Sequence, residues 1–151
     1  MSLFFILLPN ASEAANRYWV GSSGGNFSDS ANWSASTGGL GGASVPGSSD
    51  TAIFDGGGVN SSTIDITSTI QGLTISAGYT GTITVASGVT FTMTSAFTQA
   101  DGTFNSGDTL LDNNGTGATT ISGGTFNLQS ATLESTRAIT VSGGIFNGGT
   151  Q

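Results

Sequence analysis

Apolar and polar residues alternate along the chain from Ser62 onward. The apolar positions of the first strings, each separated by threonine or aspartate, are Ile64, Ile66, Leu73, Ile75, Ile83, Val85, Val89, Phe91 and Met93. A period of two places apolar side chains on one face of a β-strand and the threonines on the other. No stretch has the i, i+3, i+4 apolar spacing of a helix. The pattern predicts short strands, separated by Gly72, Gly78, Gly81 and Gly88, and almost no helix.

A phrase that ends in Phe-Asn recurs three times in the second half of the chain. Residues 97–105 read FTQADGTFN, residues 119–127 read TTISGGTFN, and residues 139–147 read ITVSGGIFN. The phenylalanines are 22 and 20 residues apart. This coil length suits a parallel β-solenoid with three short strands per coil and about 4.8 Å between neighbouring coils. We therefore predict an all-β parallel solenoid, expected to be right-handed, in which equivalent residues stack.

Stacking assigns one role to each position of the repeated phrase. The phenylalanine is predicted to form an inward ladder, each buried ring contributing about 1.5–3 kcal/mol relative to exposure. The glycine two residues before it is predicted to turn the corner with a positive φ or a close backbone approach. The asparagine after it either hydrogen-bonds along the stack or faces solvent at a turn. These positions are Phe104, Phe126 and Phe146; Gly102, Gly124 and Gly144; and Asn105, Asn127 and Asn147.

Both tryptophans of the chain lie in the aromatic-rich residues 17–39, close to Tyr18 and Phe27. We predict that residues 15–61 form a cap, because the first coil of a solenoid has an open end that needs cover. Within this region residues 38–49 are predicted to be a loop. The alternative is a sugar-binding surface. Burial of Trp19 and Trp33 favours the cap, whereas exposure of both rings on one flat face favours sugar binding.

The first residues have the features of a secretory leader. Residues 3–8 (LFFILL) are apolar but too short to span a bilayer, Pro9 ends the run, and Ser12-Glu13-Ala14 resembles a cleavage site. We predict a signal peptide or its remnant at 1–14 and a secreted or cell-surface location, although no basic residue precedes the apolar run. The alternative is a short strand of the mature fold. The coils of 62–151 are expected to continue beyond the C-terminus.

Composition narrows the possible partners. Only 7% of the 151 residues are charged and 25 are glycine, while 36% are hydrophobic, which favours a repetitive scaffold over disorder. The net charge is −7, with Arg17 and Arg137 as the two basic residues and no cysteine. A chain with so few cations is not expected to bind nucleic acid or to dock on anionic lipid. We also expect no membrane insertion by this segment.

The chain offers little material for catalysis. It has no histidine, so a Ser-His-Asp triad and imidazole metal ligands are excluded. Asp101 and Asp108 could approach one another like a glycosidase pair, as could Asp108 and Asp112, but their Gly/Ser/Asn-rich surroundings indicate loops. Asp50 and Asp55 are interpreted as turn residues that bracket a short strand at residues 52–54. Residues 112–115 are interpreted as a turn rather than a calcium loop. No catalytic, metal-binding or cofactor-binding residue is predicted.

Threonine-rich segments raise a further hypothesis. Residues 80–84 (TGTIT) and 90–94 (TFTMT) resemble the flat threonine faces of some ice-binding proteins. Such a face needs the same T-x-T in every coil. In the aligned phrases only Thr98, Thr120 and Thr140 hold, as a single file, which speaks against ice binding.

The phrases FTQADGTFNSG and ITVSGGIFNGG follow an opening of the type YWVG…NFSDSANWS and the passage VPGSSDTAIFD. Together they resemble secreted bacterial β-helix surface proteins, such as autotransporter passengers and large repeat adhesins. The resemblance implies a β-helix and an extracellular address, not a particular activity.

We expect a structural stalk of adhesin type without catalytic activity, whose partner is a host or environmental surface. One alternative is a carbohydrate-binding or carbohydrate-active module, with a polysaccharide as partner. Another is a self-assembling fibre subunit that associates end to end.

Overall fold

A computed structural model describes residues 13–108, 111–113, 116–130, 132–135 and 138–149. The predicted signal peptide at 1–14 lies outside these residues except for its last two positions. Arg137 also lies outside them. Across the described residues the secondary structure consists of short strands and one short 3-10 turn at Ser30–Asn32. The expectation of an all-β chain with almost no helix is therefore confirmed.

Seventeen strands, most of them three or four residues long, follow one another in the described part of the chain. In chain order they are β1 (Asn16–Trp19), β2 (Gly25–Asn26), β3 (Trp33–Ser34), β4 (Thr51–Phe54), β5 (Ser62–Ile64), β6 (Ser68–Ile70), β7 (Gly72–Ile75), β8 (Thr82–Val85), β9 (Phe91–Met93), β10 (Phe97–Gln99), β11 (Thr103–Asn105), β12 (Leu111–Asn113), β13 (Thr119–Ile121), β14 (Thr125–Asn127), β15 (Leu133–Ser135), β16 (Ile139–Val141) and β17 (Ile145–Asn147).

The strands stack into three sheets, and apart from β3 each sheet contains every third strand along the chain. The first sheet has the order β16-β13-β10-β7-β4-β1-β3, the second β17-β14-β11-β8-β5-β2, and the third β15-β12-β9-β6. Every pairing is parallel except the pairing of β1 with β3. The described part of the chain is therefore a parallel β-solenoid with four complete three-strand coils, from β4 to β15, which confirms the predicted fold class.

The repeated phrase occupies the same place in each coil. Phe104 pairs with Phe126, and Phe126 with Phe146, in the register of the second sheet. The Phe104 and Phe126 ring centroids are 5.3 Å apart, and those of Phe126 and Phe146 are 5.2 Å apart, with the rings stacked in both pairs. Phe104 and Phe126 are fully buried. The predicted aromatic ladder is confirmed.

The corner glycines also behave as predicted. Gly102, Gly124 and Gly144 have φ values of 63°, 71° and 72°. A Cβ on Gly124 would lie 2.4 Å from the carbonyl oxygens of Asp101 and Gly102 in the preceding coil. Backbone handedness and close approach between coils both require glycine here.

An aromatic cluster fills the solenoid next to the first coils. Trp19 and Trp33 are both fully buried, with centroids 5.3 Å apart in an edge-to-face arrangement. Phe27 packs against Trp33 at 5.0 Å, and Phe54 stacks on Trp19 at 5.5 Å. The indole N–H of Trp19 donates to the carbonyl of Asn60, and that of Trp33 donates to the carbonyl of Phe27. Burial therefore leaves neither N–H without a partner.

One strand is shorter than the alternation predicted. Ile66 was expected to share the buried face with Ile64, but it is 40% exposed, whereas Ile64 is fully buried. The strand β5 ends at Ile64, and the chain turns in a bend at Ile66, next to Asp65, whose carboxylate is bound to Ser28 in the neighbouring coil. The turn breaks the period of two, so the prediction for Ile66 is wrong.

Candidate functional site

Asp101 and Asp108, one of the two aspartate pairs considered for catalysis, are both bonded to turns of the preceding coil. Asp101 accepts hydrogen bonds from the backbone N–H of Gly78, at 3.2 Å, and from that of Gly102, at 2.9 Å. Asp108 accepts from the Ser87 hydroxyl at 2.6 Å and from the Gly88 N–H at 3.2 Å. The Ser87 hydroxyl, followed by the Gly88 N–H, lowers the pKa of Asp108 below its usual value. A carboxylate held ionised in this way is unsuited to donate a proton as a general acid.

Asp65 makes the same kind of contact between coils. It accepts from the backbone N–H of Ser28 at 3.0 Å and from the Ser28 hydroxyl at 2.6 Å. Partial burial raises the pKa of Asp65, but the hydrogen bonds to its carboxylate, first among them those from Ser28, together outweigh burial and leave the pKa below its usual value. The acidic side chain therefore ties two coils together.

Asp50 and Asp55 also act on nearby turns, as their positions predicted. Asp50 accepts from the N–H groups of Ala15 and Gly47, both at 3.0 Å. Asp55 accepts from the N–H of Gly57 at 2.8 Å and from the Thr37 hydroxyl at 2.9 Å. The strand between the two aspartates is β4.

The segment with a faint resemblance to a calcium loop begins inside a strand. Asp112 and Asn113 belong to β12, where Asp112 pairs in register with Glu134 of β15. The predicted turn at residues 112–115 is therefore wrong for its first two residues, and residues 114 and 115 lie outside the described part of the chain. No group of three or more potential metal-binding side chains exists among the residues that the structure describes.

The outer face of the second sheet carries two straight rows of side chains. The threonine row consists of Thr82, Thr103 and Thr125 and ends at Ile145; the amide row consists of Thr84, Asn105, Asn127 and Asn147. The two rows flank the buried file of Ile83 and the stacked phenylalanines, so both point outward. Their members are half-buried in coils up to β14 and exposed in β17. We call these two rows together the second-sheet face.

The amides of the second-sheet face form a ladder along the solenoid. The Asn147 side-chain N–H donates to the Asn127 side-chain oxygen at 2.7 Å, and Asn127 donates to Asn105 in the same way at 2.8 Å. Asn105 in turn donates to the Thr84 hydroxyl at 3.3 Å. The asparagines therefore hydrogen-bond along the stack, which decides between the two predicted alternatives.

A shallow groove borders the second-sheet face. Its volume is about 620 Å³, and uncharged residues line it: Asn127, Gln129, Ser130, Asn147, Gly148 and Gly149. Gly149 passes so close to the carbonyl of Gln129 that a Cβ there would lie 1.5 Å from that oxygen. Two amides of the ladder thus border a concave polar surface.

A single row of threonines crosses the first sheet, as the aligned phrases predicted. Thr98 pairs with Thr120, and Thr120 with Thr140; the row also includes Thr74, which lies 3.3 Å from Thr98 between hydroxyl oxygens. The second-sheet face was not recognised from the sequence. The residues on either side of each stacked phenylalanine, T-F-N in two coils and I-F-N in a third, were the available signal.

Parallel sheets and stacked coils define the molecule as a β-helix protein. Searches against protein-family models, curated proteins and solved structures gave no match to the chain. Within the described ranges, no helix has both the length and the apolar character needed to cross a membrane.

Proposed function

We propose that the chain is a structural stalk, secreted or displayed at the cell surface, that has no catalytic activity of its own. The observation that carries the proposal is the use of its acidic side chains. Asp50, Asp55, Asp65, Asp101 and Asp108 all accept hydrogen bonds from turns or from neighbouring coils. Such bonds stiffen a stack of coils, and they engage the carboxylates that a catalytic site would use.

The buried aromatic rings support the same role. Trp19 and Trp33 are fully buried, so neither ring can stack on a sugar at the surface. The phenylalanine column continues the core along the axis through three successive coils. Each coil contacts mainly its neighbours, which gives an elongated scaffold whose length grows with the number of coils.

Two measurements test the stalk. Intact cells of the source organism should bind an antibody raised against residues 17–149, and labelling that requires cell lysis would contradict display at the surface. Incubation of the purified chain with neutral and acidic polysaccharides should release no new reducing ends. Turnover that disappears in Asp101→Asn or Asp108→Asn, while Thr120→Ala retains it, would overturn the absence of catalysis.

A further inference from the structure

We infer that the second-sheet face, with its bordering groove, binds a neutral β-linked polysaccharide chain that lies along the solenoid axis. The inference goes beyond the stalk role and does not rest on it. A binding face of this kind can act whether or not the chain serves as a spacer.

The first argument is the chemistry that the face displays. Apart from Ile145 at one end of the threonine row, its described side chains are hydroxyls and amides, and neither the face nor the groove carries a charged side chain. Asp101 and Asp108, the carboxylates on either side of β11 in the sequence, are bound to the turns at Gly78 and Ser87. A net charge of −7 repels anionic ligands, so the chemistry fits a neutral partner that both donates and accepts hydrogen bonds.

The second argument is preorganisation of the amides. Within the ladder Asn127 uses one N–H toward Asn105 and its oxygen toward Asn147. A primary amide has two N–H groups and two lone pairs, so one N–H and one lone pair remain beyond the ladder. Because neighbouring coils already fix the amide, a ligand binds without the full entropic cost of ordering that side chain.

The third argument is the match between the two repeats. Equivalent amides recur once per coil, at about the 4.8 Å spacing of neighbouring strands. A β-1,4-linked glycan is an extended ribbon that presents hydroxyls on every sugar ring, at an interval of similar size. One such chain can therefore meet Asn105, Asn127 and Asn147 in succession.

The relief of the face favours a glycan over ice. An ice plane requires identical groups in a flat array, but here the threonine row ends at Ile145 and the other row changes from Thr84 to asparagine. The groove beside Asn127 and Asn147 adds a concave border. A single polymer chain tolerates such relief, and concavity increases the area it buries.

The test is affinity electrophoresis of the full chain through gels that contain hydroxyethylcellulose, barley β-glucan or galactomannan, with polygalacturonate as the anionic comparison. At least one neutral polymer should retard the wild-type chain. The double variant Asn105→Thr with Asn127→Thr extends the residue type of Thr84 along the row. It should bind about tenfold more weakly, equivalent to about 1.4 kcal/mol.

A matched double variant on the first sheet, Thr98→Val with Thr120→Val, should be retarded like the wild type. If the asparagine double variant does not fold, Asn147→Thr at an exposed position replaces it, with an expected loss of about threefold. Far-UV circular dichroism checks folding in each case.

Four results overturn the inference. They are no retardation of the wild type by any neutral polymer, equal retardation of the asparagine variants, retardation by polygalacturonate alone, and shaping of ice crystals without glycan binding. Failure here leaves surface labelling of cells unaffected, so it is distinguishable from failure of the stalk role.

Discussion

Replacement of Phe126 by alanine probes the central claim that equivalent residues stack along one axis. Phe126 is 1% exposed and lies between two stacked rings, Phe104 at 5.3 Å and Phe146 at 5.2 Å. A fourth ring, that of Phe97, packs edge-to-face against Phe126, with the two ring centroids 5.5 Å apart. Phe126→Ala therefore removes three ring contacts at once and leaves a cavity between coils.

The expected cost follows from these contacts. Truncation of a buried phenylalanine to alanine costs about 3–5 kcal/mol. Part of this cost is the loss of ring pairs, which contribute about 0.5–1.5 kcal/mol each beyond burial. Since domains are stable by about 5–15 kcal/mol, the variant should keep only part of its stability. Its melting temperature should fall by roughly 10–15 °C at about 3 °C per kcal/mol for a chain of this size.

Thermal and urea unfolding followed by two probes give the measurement. Far-UV circular dichroism reports all the strands, whereas the fluorescence of Trp19 and Trp33 reports the opposite end of the solenoid. Because coils interact mainly with their neighbours, the circular dichroism of Phe126→Ala should change before the fluorescence does. Thr120→Ala, on the outer face of the same coil, is the control and should stay within about 0.5 kcal/mol of the wild type.

Two results would refute the reasoning. A loss of less than about 1 kcal/mol in Phe126→Ala would mean that the ring does not fill the core. An equal loss in Thr120→Ala would mean that the assay reports general sensitivity of the coil and not the aromatic column.

Three further predictions concern the corners, the carboxylates and the cap. Gly88→Ala should cost about 1–2 kcal/mol, because φ is 75° although no other atom lies within 4 Å of the added Cβ. Gly124→Ala should cost more, since its Cβ also meets backbone atoms of the preceding coil. Equal urea midpoints for the two variants would contradict this steric contribution. Hydrogen bonds keep the folded-state pKa of Asp108 low, so its contribution to stability is present above the ordinary pKa of about 3.9 and is lost as pH falls below it. Asp108→Asn should therefore flatten the acid limb of stability against pH, and an unchanged limb would exclude this contribution. Iodide should quench Trp19 and Trp33 much less in the native chain than in urea, and strong native quenching would contradict their burial.

The repeated phrase contained most of the information needed to predict the register. Phenylalanine, glycine and asparagine recur at a nearly constant interval, so alignment of the phrases predicts which residues stack. Alternation alone was sufficient to locate strands such as β8. It did not predict where a strand ends, because Ile66 continues the apolar pattern although β5 has already ended at Ile64. Directly after the strand end, Asp65 bonds Ser28 of another coil, a contact that alternation within the segment does not reveal.

The roles of the aspartates were harder to predict for the same reason. Asp101 and Asp108 lie in Gly/Ser-rich stretches that look alike, and each side chain acts on a turn more than 19 residues earlier in the sequence. Local sequence predicts that such residues favour turns, but not which turn they bind. Only the coil length, which varies through the chain, determines that partner. Phe97 pairs with Leu73, 24 positions before it, whereas Phe146 follows Phe126 by 20.

Gln99 shows how the stack resolves half of a conflict that the sequence leaves open. It occupies an inward position between Ile75 and Ile121, where an unpaired amide would cost about 1–3 kcal/mol. Its N–H groups reach the carbonyls of Gly102 at 3.3 Å and of Thr125 at 3.0 Å, so the amide bridges the corner of its own coil and a strand of the next. The N–H groups thus satisfy carbonyls at the point where a glycine turns the chain, whereas the side-chain oxygen of Gln99 is buried without a hydrogen-bond partner among the described residues. Register explains both this inward amide and the outward asparagine ladder: once coils stack, a polar side chain is favourable wherever the adjacent coil presents a complementary group at the same height.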